Sequence, residues 1–182
     1  MSAVRLQKSF GLFLKGLNFV PRLMMASNST AGNPPSEDSL RKANKVSQLT
    51  LEEWKQRLTA EQFEVTRNSA TERPFSSPLC DFYEEGTYAC VCCGTILFSS
   101  KSKFHSGCGW PAFSEAFNEG NIEKRPDYSH DMVRMEIICK TCHAHLGHVF
   151  DDGPKPTGIR YCINGVAMDF IPKQKPNANK EA

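Results

Sequence analysis

Two Cys-x-x-Cys pairs, Cys90/Cys93 and Cys139/Cys142, constrain this 182-residue chain more than any other feature of it. In each pair a tight turn can aim two thiolates at one point. Four thiolates satisfy the tetrahedral preference of zinc, at about 2.3 Å from the ion. Gly94, directly after the first pair, lets that turn close. A single pair could be a thioredoxin-like redox motif. Two pairs, with 45 residues between Cys93 and Cys139, point instead to one shared structural Zn2+ per chain. Cys92 competes with Cys93 by position. Four protein ligands close the coordination sphere, so such a zinc stabilises the fold and leaves any chemistry to other residues.

Composition narrows the class. The chain is 40% hydrophobic and 23% charged, ordinary for one soluble domain with tails. No apolar run approaches the roughly 20 residues of a membrane-spanning helix. Eight cysteines are many, but a secreted disulfide scaffold is usually shorter, and half of these cysteines fall into metal-type pairs. Arg5, Lys8, Lys15 and Arg22 precede Glu37, the first acidic residue, so of the net +2 the remainder of the chain carries about −2. A body without a basic patch is not expected to bind nucleic acid.

The first 25 residues are basic, acid-free and rich in Phe and Leu, the pattern of a mitochondrial transit peptide. A secretory signal and a plain disordered tail are the rival readings; Lys15 interrupts the apolar core that a signal needs. Translation from Met24 or Met25 would give a cytoplasmic product instead. Residues 26–49 read as a polar linker, 50–173 as the folded domain and 174–182 as a disordered tail. Thr50-Leu51-Glu52-Glu53 and Thr59-Ala60-Glu61-Gln62 are capping boxes, and Leu51, Trp54 and Leu58 are placed on one buried helix face. Beyond Arg73 short β-like runs alternate with Gly, Pro and Asn, and strands are predicted at Thr87–Val91, Thr95–Phe98, Met132–Ile138, His148–Phe150, Arg160–Ile163 and Val166–Phe170. The body is therefore mainly β, with short helices in front.

Three constellations remain. In Arg160-Tyr-Cys162-Ile-Asn164-Gly165, strand alternation sends Arg160, Cys162 and Asn164 to one face, where a guanidinium favours the reactive thiolate. The bland alternative is a buried core cysteine beside a hairpin, since Asn-Gly is a strong type I′ turn signal. His143, His145 and His148 follow the second cysteine pair and could be proton donors, extra metal ligands or solvated loop residues. In Ser106-Gly-Cys108-Gly-Trp110-Pro-Ala112-Phe113, glycines flank a thiol that could travel to Cys162. Trp110 and Phe113 are either core or, for an exposed Trp, an apolar wall for a small nonpolar group.

Together SGCGWPAF, HLGHVFDDGP and RYCINGVAM, framed by the cysteine pairs, resemble the B-type peptide-methionine (R)-S-oxide reductases over roughly residues 50–173. The resemblance implies two antiparallel β-sheets with short N-terminal helices and a structural zinc away from the active site. It implies Cys162 as the nucleophile that takes the sulfoxide oxygen and becomes a sulfenic acid, and Cys108 as the resolving thiol that forms a disulfide recycled by thioredoxin. It implies that Trp110 cups the substrate methyl group with Phe150 beside it, that His145, His148 and Asn164 polarise the sulfoxide oxygen, and that Arg160 lies near the thiolate. Substrates would be oxidised proteins or free methionine-R-sulfoxide, handled by a monomer. Ala112 and Gly165 stand where Ser is typical, and His105 where Asp is typical. The competing readings are a zinc-ribbon-like interaction module and a metal enzyme with His145 and His148 as ligands.

Overall fold

Residues 45–129 and 132–174 are described by the computed structural model. The expected transit peptide, the internal start sites, most of the linker and the tail from residue 175 onward lie outside the described residues. Among the described residues no helix is long and apolar enough to cross a membrane.

Both capping boxes form. The Thr50 hydroxyl accepts from the Glu53 amide at 3.3 Å while Glu53 accepts from the Thr50 amide at 2.8 Å, opening α1 (Leu51–Arg57). Thr59 and Gln62 repeat the exchange at 3.2 and 3.0 Å to open α2 (Ala60–Asn68). Each satisfies two amides that a helix start leaves without intrahelical partners. Trp54 is buried and Leu58 packs against the core, but Leu51 is 60% exposed, contrary to its placement on the buried face. Helical side chains lean toward the N-terminus, so the first residue of a seven-residue helix leans off its end. Val46 and Leu49, inside the stretch read as polar linker, also pack against the core.

The strands are β1 (Gly86–Cys90), β2 (Ile96–Ser99), β3 (Lys103–Phe104), β4 (Ala112–Phe113), β5 (Ile122–Asp127), β6 (Arg134–Cys139), β7 (His145–Phe150), β8 (Arg160–Ile163) and β9 (Met168–Pro172). They form two antiparallel sheets, β2-β1-β9 and β3-β4-β8-β7-β6-β5. Aromatic rings fill the space between them. Phe98 of the small sheet stacks on Phe113 of the large one at 4.4 Å, and Tyr88 meets Phe113 edge-on at 5.0 Å. Leu97, Ile137, Leu146, Tyr161 and Ile163 complete the dry core.

Three strands were not expected. β3 and β4 have two residues each, too short for a periodic signal, and β5 is an edge strand of sequence IEKRPD with little apolar alternation. Asn164-Gly165 is not a hairpin turn. Asn164 has φ −61° and ψ 123°, and the chain enters a 3₁₀ turn, Gly165–Ala167, that carries it from β8 in one sheet to β9 in the other. Gly165 is required there by proximity: a Cβ on it would lie 1.9 Å from the Ser77 hydroxyl.

Candidate active site and metal centre

The cysteine pairs meet because β1 ends on Cys90 and β6 ends on Cys139, each followed by the same knuckle. The Gly94 amide bonds the Cys90 carbonyl and the His143 amide bonds the Cys139 carbonyl, both at 2.8 Å. Gly94 and His143 occupy equivalent left-handed positions, φ 75° and 56°. His143 therefore closes a knuckle. The four sulfurs of Cys90, Cys93, Cys139 and Cys142 all lie within 4.8 Å of one another, with 3.6 Å between Cys90 and Cys142 and 3.5 Å between Cys93 and Cys139. Ligands at about 2.3 Å from a tetrahedral ion stand about 3.8 Å apart, so this donor set fits zinc. Cys92 falls outside the group. Arg67, stacked on Trp54 at 4.1 Å, donates to the Cys142 carbonyl at 2.8 Å and sets positive charge beside a centre rich in thiolate. The second knuckle leads straight into β7, which carries His145 and His148.

His148 pairs directly with Cys162 across β7 and β8, and Ala112 of β4 flanks Cys162 on its other side. A cavity of about 100 Å³ opens here, lined by Thr71, Trp110, Arg134, Gly147, His148, Phe150, Cys162 and Asn164. None of the four clustered cysteines lines it. A larger groove of about 320 Å³, between the ends of β1, β2 and β9, contains neither thiol nor imidazole.

Cys162 is half-buried, and its sulfur lies 3.5 Å from that of Cys108. Burial raises the Cys162 thiol, the charge of Cys108 raises it further, and Arg160 lowers it only in part; the outcome is about 12. Arg160 does favour the Cys162 thiolate, as expected, but burial outweighs the guanidinium. Cys108 moves the other way. Burial raises it too, but the Ser106 hydroxyl at 2.9 Å, the Trp110 backbone, Cys162 and Arg160 together bring it below the ordinary thiol value. Arg160 does not line the cavity; a bidentate pair to Asp152, 2.8 Å at each contact, holds it 4.4 Å above the Phe150 ring.

The histidines divide into three roles. His148 Nε2 faces the Asp127 carboxylate at 2.7 Å. Asp127 is held well below the usual carboxylate range, chiefly by the Ser129 hydroxyl and amide and then by His148, so it stays ionised. Burial lowers His148, with Arg134 and His145 adding to the effect and Asp127 opposing it. At neutral pH His148 is therefore neutral, with Nε2–H given to Asp127 and Nδ1 left as an acceptor. His145 does not line the cavity. It is buried behind His148, ring centroids 5.6 Å apart, with Nδ1 on Glu136 at 2.6 Å and Nε2 without a partner among the described residues. Each imidazole keeps one nitrogen on a carboxylate, and among the described residues only the four cysteines are gathered closely enough to hold a metal ion, so nothing supports His145 and His148 as a metal site.

Asn164 uses its amide oxygen to accept from the Glu72 amide at 3.0 Å and one amide hydrogen to reach the Leu146 carbonyl at 3.0 Å, leaving one hydrogen for the cavity. Trp110 is wall and not core: its indole N–H is tied to the Glu72 carbonyl at 3.2 Å, while Phe113 is wholly buried. Glu72 itself is a buried carboxylate accepting from the Gly165 and Val166 amides at 2.6 and 2.9 Å. Sequence reasoning passed over Glu72, Asp127, Glu136, Thr71 and Arg134. Thr71 only lines the cavity; the others act through partners seven or more residues away, and isolated acids or an Arg carry no local spacing signal. His105, in place of the typical Asp, is exposed and 3.7 Å from Asp81.

A thiol pair, a neutral imidazole and an apolar wall around a small cavity suit two-electron exchange with a small polar group that bears an apolar substituent. The comparisons with known proteins agree. The SelR domain model matches residues 58–172. Three relatives, each called peptide methionine sulfoxide reductase MsrB, are closely similar. That of Hahella chejuensis is 55% identical over 65% of this chain and 86% of its own length. Those of Pseudomonas fluorescens strain Pf0-1 and Pseudomonas savastanoi pv. phaseolicola are 53% and 51% identical, over 69% and 70% of this chain and 95% and 97% of their own lengths. With the domain model spanning most of the folded residues, the chain belongs to the SelR-domain family of B-type peptide-methionine (R)-S-oxide reductases, and is an oxidoreductase.

Proposed function

We propose that this chain reduces methionine-R-sulfoxide, in proteins or free, through a sulfenic acid on Cys162 that Cys108 resolves and thioredoxin recycles. The observation that carries the reading is the 3.5 Å approach of the two thiols at a cavity where His148 faces Cys162 across the strands. Trp110 and Phe150 offer the sulfoxide its apolar wall, and the spare Asn164 hydrogen offers its oxygen a donor. Cys162 rests as a thiol. Its proton passes to the free Nδ1 of His148 and on to the sulfoxide oxygen as Cys162 Sγ attacks the sulfur. The oxygen ends on Cys162 as S–OH, the sulfide leaves as methionine, and no net proton is consumed. Cys108 then attacks the sulfenic sulfur, forming the Cys108–Cys162 disulfide and water. A dithiol such as thioredoxin returns both thiols by exchange.

Zinc on Cys90, Cys93, Cys139 and Cys142 would cross-link the ends of β1 and β6 and hold the start of β7. The acid-free, basic first 25 residues support mitochondrial import. The test is a chirally resolved assay on a dabsylated R-sulfoxide with thioredoxin. Cys162→Ser should abolish reduction, and Cys108→Ser should keep one turnover and lose cycling. Unchanged turnover in Cys162→Ser would overturn the reading.

A further inference from the structure

A third thiol lies under the resolving loop. Cys80, in the segment between α2 and β1, is half-buried, and its sulfur is 3.1 Å from the carbonyl oxygen of Gly109, the residue next to Cys108. It lines a small hollow with Phe104, Ser106, Gly107, Gly109 and Trp110, which bracket Cys108 on both sides. Cys108 thus has Cys162 within 3.5 Å and Cys80 beneath its neighbouring peptide. Gly107, at φ 71°, has nothing within 4 Å of where a Cβ would stand, whereas Gly109, at φ 94°, packs against Pro74 and accepts from the Phe75 amide at 2.7 Å, so the freedom to turn Cys108 lies on the Gly107 side. Cys92, the other unassigned thiol, is beside Arg67 at the metal end.

Resting on the reading above, we propose that Cys80 is a second resolving thiol, which takes over Cys108 from Cys162 by internal disulfide exchange. The Cys80 thiolate attacks the Cys108 sulfur of the Cys108–Cys162 disulfide. A Cys80–Cys108 bond forms, the Cys108–Cys162 bond breaks, and its electron pair leaves on Cys162, which takes the proton that Cys80 gave up. The exchange is redox-neutral and needs no added oxidant. Burial and the charges of Glu72, Asp81 and Cys108 hold Cys80 as a thiol at rest, while the buried Lys103 ammonium, bonded to the Cys80 carbonyl at 2.7 Å, favours the attacking thiolate. Cys162 departs beside Arg160 and is freed from the charge of Cys108, which the new bond consumes.

The exchange regenerates the nucleophile before any reductant arrives, so an oxidised chain can reduce a second sulfoxide. The full chain, given excess dabsylated methionine-R-sulfoxide without reductant, should form two methionines per chain, the second leaving Cys162 as the sulfenic acid. Cys80→Ser and Cys80→Ala should each form one. Alkylation and peptide mapping after one equivalent should show Cys80 joined to Cys108 in the wild type, and Cys108 joined to Cys162 in the two variants. One methionine per chain with only Cys108–Cys162 in the wild type overturns the proposal. A wild-type burst that survives Cys162→Ser, or no burst at all, overturns the underlying reading as well.

Discussion

Cys108 and Cys162 lie with their sulfurs 3.5 Å apart, and the two thiols are driven in opposite directions, Cys162 up to about 12 and Cys108 below the ordinary thiol value. Cys162 is the member that lines the cavity, so the pair at rest stores a proton on the thiol proposed to attack.

That asymmetry is measurable. Because burial first and then the charge of Cys108 raise Cys162, Cys108→Ser should bring the Cys162 value down from about 12 while leaving it above the ordinary thiol. The pH dependence of iodoacetamide alkylation at Cys162 checks this. An unmoved midpoint would mean that Cys108 carries no charge in the pair.

His148 gives an acid limb. Burial lowers its value from 6.5, so the neutral form needed to take the Cys162 proton already predominates at 6.5 and is lost as pH falls further. The rate of the first turnover should therefore decline with a midpoint below 6.5. His148→Ala should remove that limb and slow the turnover by about 10²–10⁴-fold.

Asp127 acts through His148. Asp127→Asn removes the ionised acceptor that fixes the ring at 2.7 Å. The maximal rate should fall with little change in KM, and the His148 acid limb should move to still lower pH, since Asp127 opposes the lowering. A limb moving to higher pH would contradict the assignment.

Gly165 and Ser77 form a packing pair. Gly165→Ser sets a Cβ 1.9 Å from the Ser77 hydroxyl, and overpacking of this kind costs about 1–3 kcal/mol. Adding Ser77→Gly should restore most of the loss in a urea titration. Additive losses would show that the two positions do not share the space.

Removing zinc should melt the domain. The Cys90/Cys93 and Cys139/Cys142 pairs end two strands in different sheets, and without the ion four thiols crowd within 4.8 Å. Chelation, or Cys139→Ala, should abolish the cooperative thermal transition along with activity. A folded, active apo protein would contradict a structural role.

Much of this molecule was legible in its residues because the relevant signals are local. A capping box spans four residues and a Cys-x-x-Cys turn four, and β8 could be bounded at Arg160–Ile163 from alternation alone. Leu51 failed because periodicity does not say where a helix ends relative to the core. β5 failed because an edge strand half in solvent needs no apolar alternation.

The residues alone marked out the four cysteines that cluster, the short front helices and the mainly β character. Tertiary structure decided which carboxylate holds which histidine, that Asn164-Gly165 links two sheets, that Trp110 is a wall, and that burial raises the Cys162 thiol. The division has a physical cause. Ligand spacing and capping are set by bonds a few residues apart, whereas burial and charge at Cys162 are summed over groups from Thr71 to Asn164 that meet only when the sheets close.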